Sequence, residues 1–157
     1  TMGSFSYPPG PGIVELAGQL ARLIRNEPRD APIHLVGHSL GGLVQRYYVQ
    51  EMERDARVTS TLSLASPFAC TRRAWLVPGQ AGRDIDVGST LVAKIRRGTA
   101  AGAGVRHLSI VAADDVLIEL PAFPDFGESL ELPAVGHNGI LFDERVLSAV
   151  VRHIESC

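Results

Sequence analysis

Residues 37–42, with the sequence GHSLGG, constrain the possible folds of this chain more than any other segment. They directly follow an apolar run at residues 33–36, which is typical of a buried parallel strand. They precede apolar residues at helical spacing over residues 40–53. A tight turn between a strand and a helix leaves little room for side chains, and we expect Gly37 and Gly41 to provide that room. The segment therefore predicts a strand–turn–helix unit with Ser39 at its apex.

The rest of the chain alternates between strand patterns and helix patterns, which indicates βαβ units. The sequence therefore predicts an α/β fold, in which a mostly parallel sheet carries helices on both faces. The length of 157 residues suits a single domain over residues 1–157. Predicted helices lie at 13–26, 40–53 and after a possible N-cap at Asp143, with strands at 33–36, 58–65, 107–112 and 129–132 and a strand end at 5–7.

Composition excludes several classes of function. The net charge of −2, with 15 basic and 17 acidic residues, gives no electrostatic footprint for nucleic acid. No apolar run approaches the length of a membrane span, and the first residues show no secretory signal pattern. The compartment, secreted or cytoplasmic, stays open, and Cys70 and Cys157 allow one disulfide without fixing it. No cysteine and histidine ligands cluster, so we expect no metal.

A serine at the apex of such a turn is typical of a nucleophile elbow. The turn places the hydroxyl of Ser39 above the sheet edge in a strained backbone conformation. It also directs the backbone N–H of Leu40 to the point where an oxyanion would form. We therefore expect Ser39 to act as the nucleophile and Leu40 to supply one oxyanion donor.

A serine hydroxyl needs a general base, and the chain offers five histidines. His137 lies in a loop between the last predicted strand and the last helix, at the sheet edge where sites of α/β folds gather. It is the preferred base. The other four are predicted in a strand, beside the nucleophile but pointing elsewhere, at the start of a strand and on the exposed flank of the last helix: His34, His38, His107 and His153.

Two adjacent carboxylates, Asp114 and Asp115, follow the strand at 107–112. One of them would accept the Nδ1–H of His137 and so hold its tautomer. Asp115 is favoured because the aliphatic residues after it can anchor the next turn. Asp114 remains the alternative, and both could be structural, since paired aspartates are common in turns.

Residues 66–104 form a long excursion between two strands, and only a short helix, capped by Ser89, is predicted within it. A segment of this length is either a lid over the site or a variable surface insertion. Trp75 stands beside apolar residues and Pro78, and it could bind the substrate's acyl chain. The alternative is that Trp75 packs the segment onto the body of the domain.

Residues 33–48, together with the elbow, resemble the nucleophile segment of bacterial lipases and carboxylesterases in the α/β-hydrolase superfamily. Residues 66–71 resemble the segment after the next strand, although Phe68 and Cys70 depart from its usual residues. The resemblance implies a serine ester hydrolase that acts on a lipid or simple carboxylic ester. It implies no cofactor. An acyltransferase or thioesterase with the same triad is the alternative.

The resemblance also implies a His-Gly loop upstream of the elbow, and this chain has none. Only 38 residues precede Ser39, fewer than the family's first strands need. We therefore expect a truncated or reduced N-terminus. A missing N-terminal segment or a second copy in a homo-oligomer would then complete the sheet. A non-catalytic fragment is the rival hypothesis from another class.

Overall fold

The computed structural model describes residues 2–27, 30–119 and 121–156. Its centre is an all-parallel sheet of four strands in the order β1-β2-β3-β4, which confirms the predicted fold class. The strands are β1 (Ile33–His38), β2 (Val58–Leu64), β3 (Arg106–Ala112) and β4 (Glu128–Leu132). The helices are α1 (Ile13–Arg25), α2 (Leu40–Glu51), α3 (Gly79–Ile85), α4 (Thr90–Arg97) and α5 (Glu144–Glu155), with short 3-10 helices at Ala74–Leu76, Ala100–Gly102 and Gly139–Leu141.

One face of the sheet is apolar and packs against α5. Side chains alternate between the two faces of a strand, so every second residue of β2 and β3 points to this side. These strand residues and one face of α5 form a single buried cluster. Its members include Leu62, Leu64, Leu108, Ile110, Val146 and Ala149.

The opposite face is polar and packs against α2. Gln45 of α2 donates to the carbonyl of Leu62 over 2.5 Å, and Arg46 donates to the hydroxyl of Thr61 over 3.1 Å. Thr61 in turn lies 2.8 Å from Nδ1 of His107. Buried polar groups are costly unless they find partners, so these hydrogen bonds offset part of the cost of burying this layer.

The segment 66–104 packs on α1 and α2 through a cluster of its own, which includes Ile13, Leu43, Phe68 and Ile85. It is also tied to the loop before α1. Asp84 of α3 accepts the N–H of Ile13 over 2.7 Å and so caps α1, whose N-cap residue provides no side-chain cap. The carboxylate satisfies a donor that the helix cannot, and it lies at the positive end of the helix dipole.

Three expectations need correction. Residues 5–7 form no strand; instead, the rings of Phe5 and Tyr7 lie 5.3 Å apart and pack against the α1–α2 cluster. Helix α3 was not predicted, because glycines at both Gly79 and Gly82 obscure the pattern. The buried face of α5 runs through Val146, Ala149 and His153, so Leu147 and Val151, which the apolar spacing placed in the stripe, are half-exposed.

The remaining termini follow the sequence closely. Asp143 accepts the N–H of Arg145 as the predicted N-cap of α5, and Ser89 accepts that of Val92 at the start of α4. Cys70 is a free thiol, and Cys157 lies outside the described residues. Across residues 2–27, 30–119 and 121–156, no helix is both long and apolar enough to span a bilayer.

Candidate active site

Ser39 occupies the turn between β1 and α2 with φ 52° and ψ −121°. Non-glycine residues rarely adopt a positive φ, so the turn stores strain at this position. The N–H of Ser39 donates to the carbonyl of Leu64 over 2.8 Å, which extends the β1–β2 ladder into the turn. The sheet therefore fixes the backbone of Ser39 and presents its side chain at the carboxyl edge.

The glycines around Ser39 have different roles. A Cβ on Gly37 would lie 2.4 Å from the carbonyl carbon of Gly41, so only glycine allows the strand to approach the helix this closely. A Cβ on Gly42 would lie 2.0 Å from the hydroxyl of Ser66. A Cβ on Gly41 would meet only the hydroxyl of Tyr7, at 3.7 Å. The expected collision at Gly41 is therefore absent, and the space that a Cβ would occupy there is free.

Leu40 is the first residue of α2, so its N–H is one of those that helix geometry leaves without an intrahelical acceptor. This N–H lies beside Ser39 at the positive end of the helix dipole. The half-buried hydroxyl of Tyr7, close to Gly41, is a further polar group at this edge, and burial raises its pKa.

His137 and Asp115 meet on the same edge of the sheet. Nδ1 of His137 lies 2.7 Å from Oδ2 of Asp115. The other oxygen, Oδ1, accepts the N–H groups of Leu117 and Ile118 over 2.8 and 2.9 Å. The side chain of Asp115 is 1% exposed and that of His137 is 10% exposed. A buried carboxylate with three donors is fully satisfied, and its geometry favours a proton on Nδ1 of His137.

Asp114, the alternative acid, is exposed, and its backbone N–H donates to the carbonyl of Val135 over 3.3 Å. Its side chain makes no hydrogen bond to the described part of the chain. The two adjacent aspartates therefore differ in environment. Asp115 faces His137, and Asp114 faces solvent.

Sequence reasoning missed His38. Its ring lies 4.8 Å from that of His137, and Nε2 of His38 lies 2.9 Å from the backbone carbonyl of His137. A carbonyl accepts, so Nε2 of His38 carries the proton and donates. Burial lowers the pKa of His38, which favours the neutral ring. The residue before the nucleophile therefore anchors the loop that carries His137, whereas the sequence argument directed it elsewhere.

The other histidines lie away from this contact. His34 is satisfied by the hydroxyl of Ser60 at 2.8 Å, as expected for a strand histidine. His107 is buried, and burial lowers its pKa to about 2. His153 is 5% exposed, which corrects its expected position on an exposed flank. Burial also lowers the pKa of His153.

The structure brings together the elbow, His137 and Asp115, and it leaves Trp75 apart from them. Ser39 makes no side-chain hydrogen bond within the described residues, which is common before substrate binds. Trp75 is 80% exposed on the 3-10 helix Ala74–Leu76, so it does not pack the segment onto the domain. It lines a cavity of about 320 Å³ that the triad candidates do not line. No group of three potential metal ligands occurs among the described residues.

The family model for palmitoyl protein thioesterase matches residues 13–94, which is more than half of the chain and includes the elbow. The chain belongs to the palmitoyl protein thioesterase family. The match runs from the start of α1 into α4 and ends before His137 and Asp115. It therefore covers the proposed nucleophile without the acid and base. No curated protein matches the sequence.

The family match, together with the similar solved structures, confirms the α/β-hydrolase superfamily predicted from the elbow. The Mycobacterium tuberculosis protein BpoC, named as a non-heme bromoperoxidase, has a TM-score of 0.70 at 18% identity, over 95% of this chain and 76% of its own. Paleococcus ferrophilus monoacylglycerol lipase has a TM-score of 0.62 at 12% identity, over 93% and 74%. Phospholipase PlaB from Legionella pneumophila has a TM-score of 0.56 at 16% identity, over 69% of this chain but 29% of its own. At these identities the likeness shows a shared fold alone.

Proposed function

We propose that this chain is a serine hydrolase that cleaves an acyl ester through Ser39, His137 and Asp115. The observation that supports this most directly is the buried carboxylate of Asp115, which accepts from Nδ1 of His137 over 2.7 Å and from two backbone N–H groups. A carboxylate so fixed holds the imidazole in the tautomer whose Nε2 can accept a proton. The strained turn at Ser39 lies on the same sheet edge and supplies the nucleophile.

The mechanism follows from these positions. Nε2 of His137 removes the proton of the Ser39 hydroxyl as Oγ bonds to the acyl carbon. The carbonyl oxygen becomes an oxyanion and accepts the N–H of Leu40. Collapse of this intermediate breaks the bond to the leaving group, which takes the proton from His137. Water then attacks the acyl-enzyme by the same route in reverse order, releasing the acid and free Ser39.

The family match supports a second candidate substrate class, an acyl thioester. Both classes present the same acyl carbon to Ser39 and differ in the leaving group, an alcohol or a thiol. A thiol leaves with less help from a proton donor, so a thioester depends less on protonated His137 in the collapse step. Parallel turnover of an oxygen ester and a thioester with one acyl chain distinguishes the two.

A fluorophosphonate probe tests the proposal itself. We expect stoichiometric labelling of the wild type, no labelling of Ser39→Ala and full labelling of Ser4→Ala, which removes an exposed serine outside the turn. Hydrolysis of a short nitrophenyl ester should follow the same pattern: the wild type and Ser4→Ala should be active, and Ser39→Ala should be inactive. Folded wild type that neither labels nor turns over substrate would favour the non-catalytic hypothesis.

We further propose that residues 1–157 form a single domain. We also propose that residues 66–104 bind the acyl chain of the substrate, with Trp75 as a contact. The support is exposure: Trp75 is 80% and Leu76 is 50% exposed beside each other. Trp75→Ala should lower kcat/KM for long-chain esters by roughly 10-fold, as expected from losing about two buried methylene contacts. Short-chain esters and the melting temperature should change little.

Val87→Ala is the matched control, because it shortens another exposed apolar residue of the same segment. It should leave the chain-length profile unchanged. An equal loss for short and long esters in Trp75→Ala would remove Trp75 from the acyl site and would leave the triad proposal standing.

A further inference from the structure

A larger cleft, of about 510 Å³, lies at the amino-terminal edge of the sheet, opposite to Ser39. Its walls come from the end of α4, the starts of β3 and β4, and the middle of α2. The volume lies within the range of small-molecule sites. The charged and aromatic residues that line it are Arg46, Arg97, Arg106, His107, Phe126 and Glu128.

Arg46 is a buried cation without a counter-ion. It is 1% exposed, and no carboxylate of the described residues lies within 4.0 Å of its guanidinium nitrogens. One nitrogen donates to Thr61 over 3.1 Å, and the guanidinium carbon lies 4.2 Å from the centre of the Phe126 ring. Nε has no acceptor among the described residues. Buried charges are normally paired, so this one is a departure that calls for an anion.

Arg46 is charged at neutral pH. Burial lowers its pKa to about 10, which still leaves the guanidinium protonated. Neither of its two ring neighbours, Phe126 and His107, can neutralise this positive charge. Phe126 offers only its ring face, and His107 is uncharged because burial and the nearby Arg46 hold its pKa at about 2.

The rim of the cleft adds to the positive charge. Arg97 is exposed and makes no ion pair with a described residue. Glu128 is the acidic residue of the lining, and its carboxylate lies 3.6 Å from Arg106, which takes up its charge. Two cations without an ion pair among the described residues, one at the base and one at the rim, therefore face the cleft, and the carboxylate of Glu128 is paired with Arg106.

The wall beside Arg46 is built to close tolerances. A Cβ on Gly102 would lie 2.9 Å from a terminal nitrogen of Arg46, and a Cβ on Gly127 would lie 2.6 Å from the carbonyl of His107. Gly127 also has a φ of 73°, which favours glycine. Gly102 therefore lets the backbone approach the side chain of Arg46, and Gly127 lets it approach His107. Backbone approaches in this way where it lines a ligand site.

We propose that this cleft binds a small molecule through an oxyanion, a phosphate or a carboxylate, held by the charge of Arg46 and by Arg97. Guanidinium groups match both oxyanions in geometry and charge. The site shares no lining residue with the proposed triad, so its test is independent of the hydrolase activity.

The experiment measures the melting temperature of the full chain in inorganic phosphate and in acetate, at constant ionic strength set with sodium chloride. The proteins are the wild type, Arg97→Ala, Arg46→Met and Arg22→Ala. Arg22 is an exposed arginine of α1 outside the cleft and is the matched control. At a ligand concentration about tenfold above Kd, the wild type and Arg22→Ala should melt roughly 3–6 °C higher.

Arg97→Ala and Arg46→Met should lose most of this rise. A response to phosphate alone identifies a phosphate ligand, a response to acetate alone identifies a carboxylate, and either supports the site. The ring resonances of His107 should shift along a saturating curve in the wild type and not in Arg97→Ala, which decides the question even if Arg46→Met does not fold. No rise, or an equal rise in all four proteins, overturns the proposal, because a general salt effect does not depend on Arg97.

Discussion

Each of the two edges of the sheet has a buried charged side chain, and the two side chains differ in how many partners they have. At the carboxyl edge, the carboxylate of Asp115 receives three hydrogen bonds, from His137, Leu117 and Ile118. At the amino edge, the guanidinium of Arg46 has the hydroxyl of Thr61 and the ring of Phe126. At the carboxyl edge, residues of the chain itself satisfy the buried carboxylate with hydrogen bonds. At the amino edge, the buried guanidinium lacks a full set of partners.

The difference separates two ways in which a fold supports function. Asp115 is satisfied in the free protein, so its site is preorganised, and its cost of burial is met by the chain. Arg46 is desolvated without a full set of partners, so burying it costs stability that the free protein does not recover. The carboxyl edge is therefore expected to depend on its buried charge for activity, and the amino edge for binding.

Removing the charge at the carboxyl edge gives the largest expected effect. Asp115→Asn leaves the shape and loses the acceptor that fixes the His137 tautomer, so kcat should fall on the order of 10⁴-fold. Asp114→Asn, on the exposed neighbour, should change kcat little. Steady-state kinetics of both variants on one ester measure the contrast, and the reverse ranking would exchange the roles of the two aspartates.

The second prediction concerns pH and the amino edge. The pKa of His107 falls from 6.5 to about 2 on folding. Between these two pH values the unfolded chain therefore binds a proton on His107 that the folded chain does not bind. Stability is therefore complete above the unfolded pKa and is lost as pH falls through this window, by up to ~1.4 kcal/mol per pH unit. Burial lowers the pKa of His38 and His153 in the same direction.

His107→Phe tests this assignment, since a phenyl ring keeps the edge contact with Phe68 and cannot titrate. Urea unfolding at about pH 7 and about pH 4.5 should show a smaller loss of unfolding free energy in this variant than in the wild type. Equal losses would mean that His107 does not carry the acid sensitivity of the amino edge.

The carboxyl edge is the more predictable of the two from sequence. The turn at Ser39 is local, since glycines, strand and helix all lie within a few residues of it. The meeting of Asp115 and His137 follows from the chain order of strands in a parallel sheet, whose carboxyl ends share one edge. Their catalytic roles remain a proposal. The direction of the His38 ring, in contrast, is set by the loop that returns to it 99 positions later.

The amino edge is hidden because Arg46 lies outside the apolar stripe that the sequence predicts for α2, and a charged residue at such a position is expected to reach solvent. One signal was available. Strand β2 reads VTSTLSL, so hydroxyl residues recur on one of its faces. A buried parallel strand with a polar face indicates a polar partner helix. What the sequence does not provide is the set of contacts that leaves Arg46 without an acid.

The third prediction returns to the carboxyl edge and asks how far its preorganisation extends. His38→Phe keeps a ring against His137 and removes the donor to its carbonyl, so kcat should fall by up to about 100-fold as the loop shifts. His38→Gln retains an N–H donor and should recover much of the rate. KM and the melting temperature should change little in either variant. A parallel loss in both would assign His38 a packing role.

The last prediction is the smallest in size and bears most directly on the comparison. Arg46→Met replaces a buried cation by an apolar side chain of similar length, in contact with Phe126. If the positive charge is uncompensated, the free energy of unfolding in anion-free buffer should stay within ~1 kcal/mol of the wild type or rise, as often follows when buried charges are replaced by apolar residues. Ile110→Ala, on the apolar face, should cost about 2–5 kcal/mol by leaving a cavity. Urea unfolding of both variants provides the measurement. A loss in Arg46→Met as large as that in Ile110→Ala would mean that Thr61 and Phe126 satisfy the guanidinium, and the two edges of the sheet would then be alike.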